Sequence, residues 1–307
     1  MNTRQIKDTI AHKSMFLICL LVLNLALLIA WGLYRRAQPI LATKSLGELL
    51  LNSTWHPGSG QFGLDGFILG TIWVTGIAIV IAVPLSILTA VYLAEYAPRK
   101  LSHLIKPVID LLAGISPVIH GVWGVITIVP LVRDYMMPFF TEKLPFLPFS
   151  SDNYTGFCAL TGGIVLAVMI FPIIISVVCE VLHTVPAEIR EASLSLGATK
   201  WQTTKLAVLR KVYPGLVAAV ILGLSRALGE TIAVLMVAGC SLFALPKSFF
   251  DPAYPLPALI ANTYGEMMSI PLYDSAVLLA AFILLLLTTL FNVAGWGILL
   301  RLERSRC

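Results

Sequence analysis

Charged side chains are scarce in this sequence. Only 12% of the 307 residues are Asp, Glu, Lys or Arg, about half the share usual in soluble domains. That scarcity excludes a pair of soluble domains, although the length would accommodate two. The five cysteines (Cys19, Cys158, Cys179, Cys240, Cys307) include no CxxC pair and have no histidine at ligand spacing, which argues against a disulfide framework and a zinc site. No GxxxxGK[ST] loop occurs, so the chain lacks the usual backbone cradle for ATP phosphates. The formal net charge is +5, but no basic stripe interleaved with aromatics accompanies it, so nucleic acid is not an expected partner.

Apolar residues take the place of charge. They make up 58% of the chain, and the mean hydropathy is +0.90. Several runs exceed the ~20 residues needed to cross a bilayer core. Six spans are predicted: Met15 to Tyr34, Ile68 to Leu93, Leu111 to Val132, Phe157 to Cys179, Leu216 to Gly239 and Ser275 to Leu300. The expected fold class is an all-α, polytopic membrane helical bundle. Its expected parts are an N-terminal segment (1–14), a first span with an outer loop (15–67), a five-span unit (68–300) and a tail (301–307). The first apolar run is longer than the 7–15 residues of a signal-peptide core, so it reads as an uncleaved anchor. Lys and Arg fix the expected orientation. With the N-terminus inside, inner segments carry three before the first span, three in 94–110, five in 180–215 and three after 300. Outer segments carry three, two and one, with Arg226 left inside the fifth span. Both termini are therefore expected in the cytoplasm, with Arg35–Arg36 as a local exception.

Three places interrupt the apolar pattern. Pro84 and Pro117 lie inside predicted spans, where a missing backbone donor can kink a helix. Pro117 stands beside Ser116, His120, Gly121 and Gly124, so either a packing kink or a bend that shapes a pathway fits it. Between spans four and five, Pro186 suits a first helical turn, 187–196 are mostly good helix formers, and Gly197 supplies a stop. Ile189, Ala192, Ser193 and Leu196 would share one face, with Glu188 and Glu191 elsewhere. A helix of about three turns is too short to be stable alone and needs a docking surface. The third place is Ser225-Arg226-Ala227-Leu228-Gly229-Glu230-Thr231 in the fifth span. A charge at the bilayer centre costs at least ~2.5–3.5 kcal/mol. Arg226 and Glu230 stand four apart and are expected to pair on one helix face. That pair fits a structural salt bridge, or an anion site in which the guanidinium fork meets phosphate oxygens. Asp110, Glu266 and Asp274 are weaker candidates, and Trp31 and Trp73 suit interfacial anchoring.

Glu191-Ala192-Ser193, followed after three residues by Gly197, resembles the EAA loop of bacterial ABC importer permeases. In that family the loop helix docks on a cytoplasmic ATPase subunit, which implies coupling roles for Glu188, Glu191, Ala192 and Gly197. The pattern usually continues with Ile-x-Leu-Pro, whereas this chain has Ala207, Leu209 and Arg210 there and a proline only at Pro214. SRALGETIAVLMVAG, IAVPLSILTAVYLAEYAPRK, ISPVIHGVWG and LIANTYGEMMSIPLYDSAVLLAAFILLLLTTLFN are similar to the PstC type of phosphate permease, over about Ile68 to Leu300. Ile232-Ala233-Val234 after the GET tripeptide distinguishes it from the paired PstA type. The resemblance implies a bacterial inner-membrane permease without an enzymatic site of its own. It also implies four kinds of partner: a PstA-like second permease, two PstB-like ATPase copies holding ATP-Mg, a PstS-like phosphate-binding protein outside, and membrane lipid around the bundle. On the same ground the substrate pathway would include Arg226 and Glu230, with Ser225, Thr231 and His120 beside them. A permease for another oxyanion (molybdate or sulfate) and an ATPase-independent secondary transporter are the competing expectations.

Overall fold

A segment that crosses hydrocarbon must satisfy its backbone internally, and the helix does so without a partner. The computed structural model describes residues 3–143, 153–241, 246–266 and 269–304. Residues 1–2 of the expected N-terminal segment and 305–307 of the expected tail, including Cys307, lie outside these. Among the described residues, six helical segments are long and apolar enough to cross a membrane: Ile10–Thr43, Asp65–Tyr96, Pro117–Lys143, Ala159–His183, Lys200–Leu228 and Tyr273–Arg301.

The first span belongs to α1 (Thr3–Thr43), which runs beyond Arg35 and Arg36. The Arg35 guanidinium lies 4.9 Å from the centre of the Trp31 ring. After α2 (Leu46–Leu51) comes a small antiparallel hairpin of β1 (Trp55–His56) and β2 (Gln61–Phe62). The second span is α3 (Asp65–Val91), extended by a π-helical turn at Tyr92–Tyr96. An amphipathic helix, α4 (Arg99–Ala113), precedes the third span. That span is built from α5 (Pro117–Trp123), α6 (Val129–Leu131) and α7 (Met137–Lys143), joined by π turns at Gly124–Ile128 and Val132–Met136. Each π turn sits just ahead of a proline, Pro130 or Pro138. A proline lacks its own N–H and crowds the carbonyl four residues back, and a widened turn relieves both.

The fourth span is α8 (Ala159–His183), followed by α9 (Ala187–Ser195). The fifth comprises α10 (Lys200–Gln202), a π turn at Thr203–Val208 and α11 (Leu209–Leu228). Two short helices, α12 (Ile232–Val237) and α13 (Leu256–Thr263), lead to the sixth span in α14 (Tyr273–Arg304).

Helices α3 and α8 form the most extensive pair, with α11 against both. Their shared core holds Val74, Ala78, Leu166, Ile170, Ile174, Val178, Leu182 and Ala219. A second cluster gathers Ile40, Trp55, Phe62, Phe67, Tyr254, Leu259 and Tyr273 at the end of the bundle opposite the termini. There the Trp55 ring meets Phe62 and Phe67 edge-on. A third cluster ties α6 to α8 and α12 through Val129, Val165, Val237 and Phe250. Helix α1 packs along α14, while its run from Met15 to Ile29 remains largely uncovered.

Two predicted spans need correction. Leu111 to Ala113 close α4 instead of opening the third span, and Pro117 begins a helix instead of kinking one. Ser116, directly before that proline, is extended (φ −61°, ψ 140°), as a following pyrrolidine ring favours. The fifth span does not run to Gly239, since α11 stops at Leu228 and α12 starts at Ile232. Glu230 contributes to that break, because its carboxylate accepts the N–H of Thr231 at 3.2 Å in competition with helical bonding.

Candidate functional site

The break at 229–231 separates the two charges expected to pair. Arg226 occupies the last turn of α11, whose C-terminal dipole favours a cation. Glu230 lies past the helix end, and no ion pair joins the two among the described residues. Arg226 rises from a stripe that this chain leaves uncovered, together with Ala218, Leu222 and Gly229. The opposite face of α11, with Ala219, Gly223 and Ala227, is buried in the bundle. Ser225 donates to the Ile221 carbonyl at 2.9 Å and also meets the side-chain amide of Asn292, linking α11 to α14. Asn292 was not foreseen, though a lone amide inside the apolar sixth span was its signal.

Glu230 is half-buried and borders a small recess with Thr71, Thr75, Leu228 and Pro257. The Thr231 hydroxyl donates to the Gly229 carbonyl at 3.3 Å. His120 is buried on α5, with Nδ1 3.2 Å from the Ser116 carbonyl. No hydrogen bond or ion pair connects it to Arg226 among the described residues. The structure thus places Ser225, Arg226, Glu230 and Thr231 around one helix end and leaves His120 in the packing between α5 and α12. There a side chain at Gly121 would sit 3.2 Å from the Cα of Ala233.

Other candidates take local roles. Asp110 accepts from Ser176 at 3.2 Å, tying α4 to α8. Glu266 is exposed after α13, and Asp274 is in the first turn of α14. A recess of about 510 Å3 at the C-terminal end of α12 is lined by Asn153, Thr155, Met236 and Cys240. Burial there pushes the Cys240 thiol up to about 12.

The loop between spans four and five is a formed helix. Pro186 caps α9, and Gly197 beyond its end has φ +82°. Ile189, Arg190 and Ser193 turn toward the chain's own body. Ala192 and Leu196 do not join them, contrary to the spacing: both are exposed, Leu196 at 89%. Leu196 lies past Ser195, the last residue of α9, and as the C-cap (φ −78°, ψ 5°) it has already left helical geometry. Glu188 and Glu191 are exposed as expected.

What holds α9 down was not predicted. Arg190 Nη2 donates to Glu95 Oε1 at 2.6 Å, and its Nε reaches both carboxylate oxygens at 3.1 and 3.2 Å. The guanidinium also donates to the carbonyls of Val185 (2.7 Å) and Leu182 (3.1 Å). The Glu95 side chain is only 8% exposed, and removing one member of such a pair costs about 3–5 kcal/mol. The signal was available in YLAEYAPRK, where Glu95 is a lone carboxylate at the end of an apolar span.

Residues 82–295 match the family described as binding-protein-dependent transport system inner membrane component. The phosphate transport system permease protein PstC of Xylella fastidiosa is 39% identical over 258 residues, 83% of this chain and 79% of that protein. The protein of the same name from Mesorhizobium japonicum is 34% identical over 301 residues, 96% of this chain and 91% of that protein. Among solved structures, a chain of the MetNI methionine ABC transporter in an inward-facing conformation shares the fold. Its TM-score is 0.54 at 19% identity, over 76% of this chain and 93% of that chain. The family match begins within the second span and continues well into the sixth, so this multi-pass membrane chain belongs to the binding-protein-dependent transport system inner membrane components.

Proposed function

We propose that this chain is the PstC-type permease of an ATP-driven phosphate importer. The observation that carries the reading is its likeness, at 34–39% identity over most of its length, to relatives named phosphate transport system permeases. Arg226 gives that likeness a chemical basis. It is a permanent cation on a stripe of α11 that this chain does not cover, so a substrate and a second permease have access to it. A guanidinium offers fixed, paired donors to tetrahedral oxyanions and sheds water more readily than an ammonium. Glu230, unpaired with Arg226, lies just past the same helix end, where its negative charge would repel a bound anion and favour release.

The partners follow from the same reading. A PstA-like permease completes the pathway, and a PstS-like protein delivers phosphate from outside. Two PstB-like subunits hydrolyse ATP, so the chemistry is not in this chain. Their movement reaches the spans through α9, with Glu188, Glu191, Ala192 and Gly197 at the contact. Phosphate then passes Arg226 as the site opens alternately to each side, a shift between two conformations driven by differential binding. The membrane is the bacterial inner membrane, with both termini in the cytoplasm.

The test is phosphate uptake in cells whose only copy of this subunit carries Arg226→Ala. Uptake should fall at least tenfold at normal protein level, the loss expected when one charge-assisted contact of about 1.5–3 kcal/mol disappears. Unchanged uptake would remove Arg226 from the pathway. Competition by molybdate or sulfate as strong as that by phosphate would reassign the substrate.

A further inference from the structure

The end of the second span holds the loop helix from two sides. Its π turn, Tyr92–Tyr96, carries Glu95 and Tyr96 on successive positions. Glu95 receives the guanidinium of Arg190 on α9. Tyr96 lies under the ammonium of Lys200, 4.7 Å from the ring centre, at the start of α10. Between these two contacts, the hydroxyls of Ser193 and Thr203 meet at 3.0 Å. Both helices that flank the Gly197 turn are therefore anchored to the same five residues of span two.

Arg190 also completes α8. The last carbonyls of a helix have no partner within it, and Arg190 donates to that of Leu182 and to the carbonyl of Val185 just beyond the helix end. One side chain thus joins α9 to both members of the principal helix pair, α3 and α8. A weakly held exposed salt bridge would let α9 swing independently. A nearly buried carboxylate with a forked partner cannot separate without leaving an uncompensated charge, so the link is stiff. Leu194 on the outer surface of α9 and Leu196 just past its end stay exposed.

We propose that Glu95 is a positioning residue for energy coupling. Through Arg190 it fixes the attitude of α9 on the α3–α8 pair, so that a displacement of α9 moves the spans instead of bending the loop. This inference rests on the permease reading above, in which α9 meets the ATPase.

The experiment reconstitutes the complete complex, with second permease, ATPase and binding protein, in proteoliposomes and measures phosphate moved per ATP hydrolysed. Glu95→Gln should assemble with the ATPase and hydrolyse ATP, yet move about fivefold less phosphate per ATP, the low end of typical coupling energies. Glu95→Asp, which keeps the charge, should restore most of the ratio. Arg190→Gln combined with Glu95→Gln should be no worse than the poorer single variant, as expected of two groups acting as a unit. A merely structural Glu95 would lower the amount of complex and leave the ratio unchanged, and that result overturns the proposal. Should Glu95→Gln fail to accumulate, Arg190→Lys carries the same test, since it keeps the charge and loses the fork. Gly197→Val is the control for the underlying reading. If it uncouples while Glu95→Gln does not, only the positioning role falls; if Gly197→Val keeps both ATPase binding and the normal ratio, the docking role of α9 falls with it.

Discussion

Gly197 shows how one residue can set the geometry of a contact it does not make. Its φ of +82° lies in the left-handed region, and a Cβ built there would meet nothing within 4 Å. Any penalty on substitution is therefore backbone strain and not a clash. Valine, branched at Cβ, is a marked outlier at positive φ, and the left-handed conformation costs roughly 1–2 kcal/mol for an L-residue with a side chain. The loop can escape that strain only by changing the angle between α9 and α10. Gly197→Val should leave the spans folded and the protein level near normal, while co-purification of the ATPase drops several-fold. Full co-purification together with normal transport would remove the docking role of α9. Gly197 was legible in the sequence, because a glycine after a helix-forming run is a stop whatever lies around it. Arg190 was not, because its partner Glu95 is 95 residues away and only the fold brings the two together.

Among the elements, the α3–α8 pair depends on small residues at its crossing. Gly163 on α8 faces Ile77 of α3 so closely that an added Cβ would lie 2.6 Å from the Ile77 Cβ. That atom is fixed to the backbone and cannot turn away. Gly163→Ala should therefore destabilise the protein by about 1–3 kcal/mol, the usual effect of overpacking. Gly76, on the same helix as Ile77, has nothing within 4 Å of a built Cβ. Gly76→Ala should be neutral or slightly stabilising, because alanine is the better helix former. Thermal unfolding in detergent separates the two, and equal shifts would contradict close packing at this crossing. The apolar runs revealed the number of spans, since hydrocarbon thickness sets their length. They did not reveal the interruption at Gly229–Thr231, where Ile232 to Val237 are as apolar as a continuing helix would be. Nor did they separate α4 from the third span, because Leu111 to Ile115 read equally well as the end of an amphipathic helix or the start of a buried one. Periodicity fails at such places because local hydrogen bonds, from the Thr231 N–H to the Glu230 carboxylate and from His120 Nδ1 to the Ser116 carbonyl, decide the path.

For the whole molecule, orientation governs every functional statement, since α9 must face the compartment that holds ATP. Six crossings, one for each apolar helical segment among the described residues, would put both termini, α4 and α9 on one side, and the hairpin of β1 and β2 on the other. The excess of Lys and Arg on the termini side predicts that this side is cytoplasmic. The chain's own thiols make the prediction testable. Cys158 and Cys179 are buried, and Cys240 is pushed up to about 12, so almost none of it is the reactive thiolate at neutral pH. Cys19 is exposed only along the apolar first span, where a charged maleimide does not enter. With Cys307→Ser in the background, a membrane-impermeant maleimide should therefore leave the parent unlabelled. A cysteine at Ser53, exposed beside the hairpin, should label in intact spheroplasts. A cysteine at Lys100, exposed at the start of α4, should label only after the membrane is opened. The reverse pattern would put α9 outside, away from any nucleotide, and no arrangement of partner subunits could then drive transport through it.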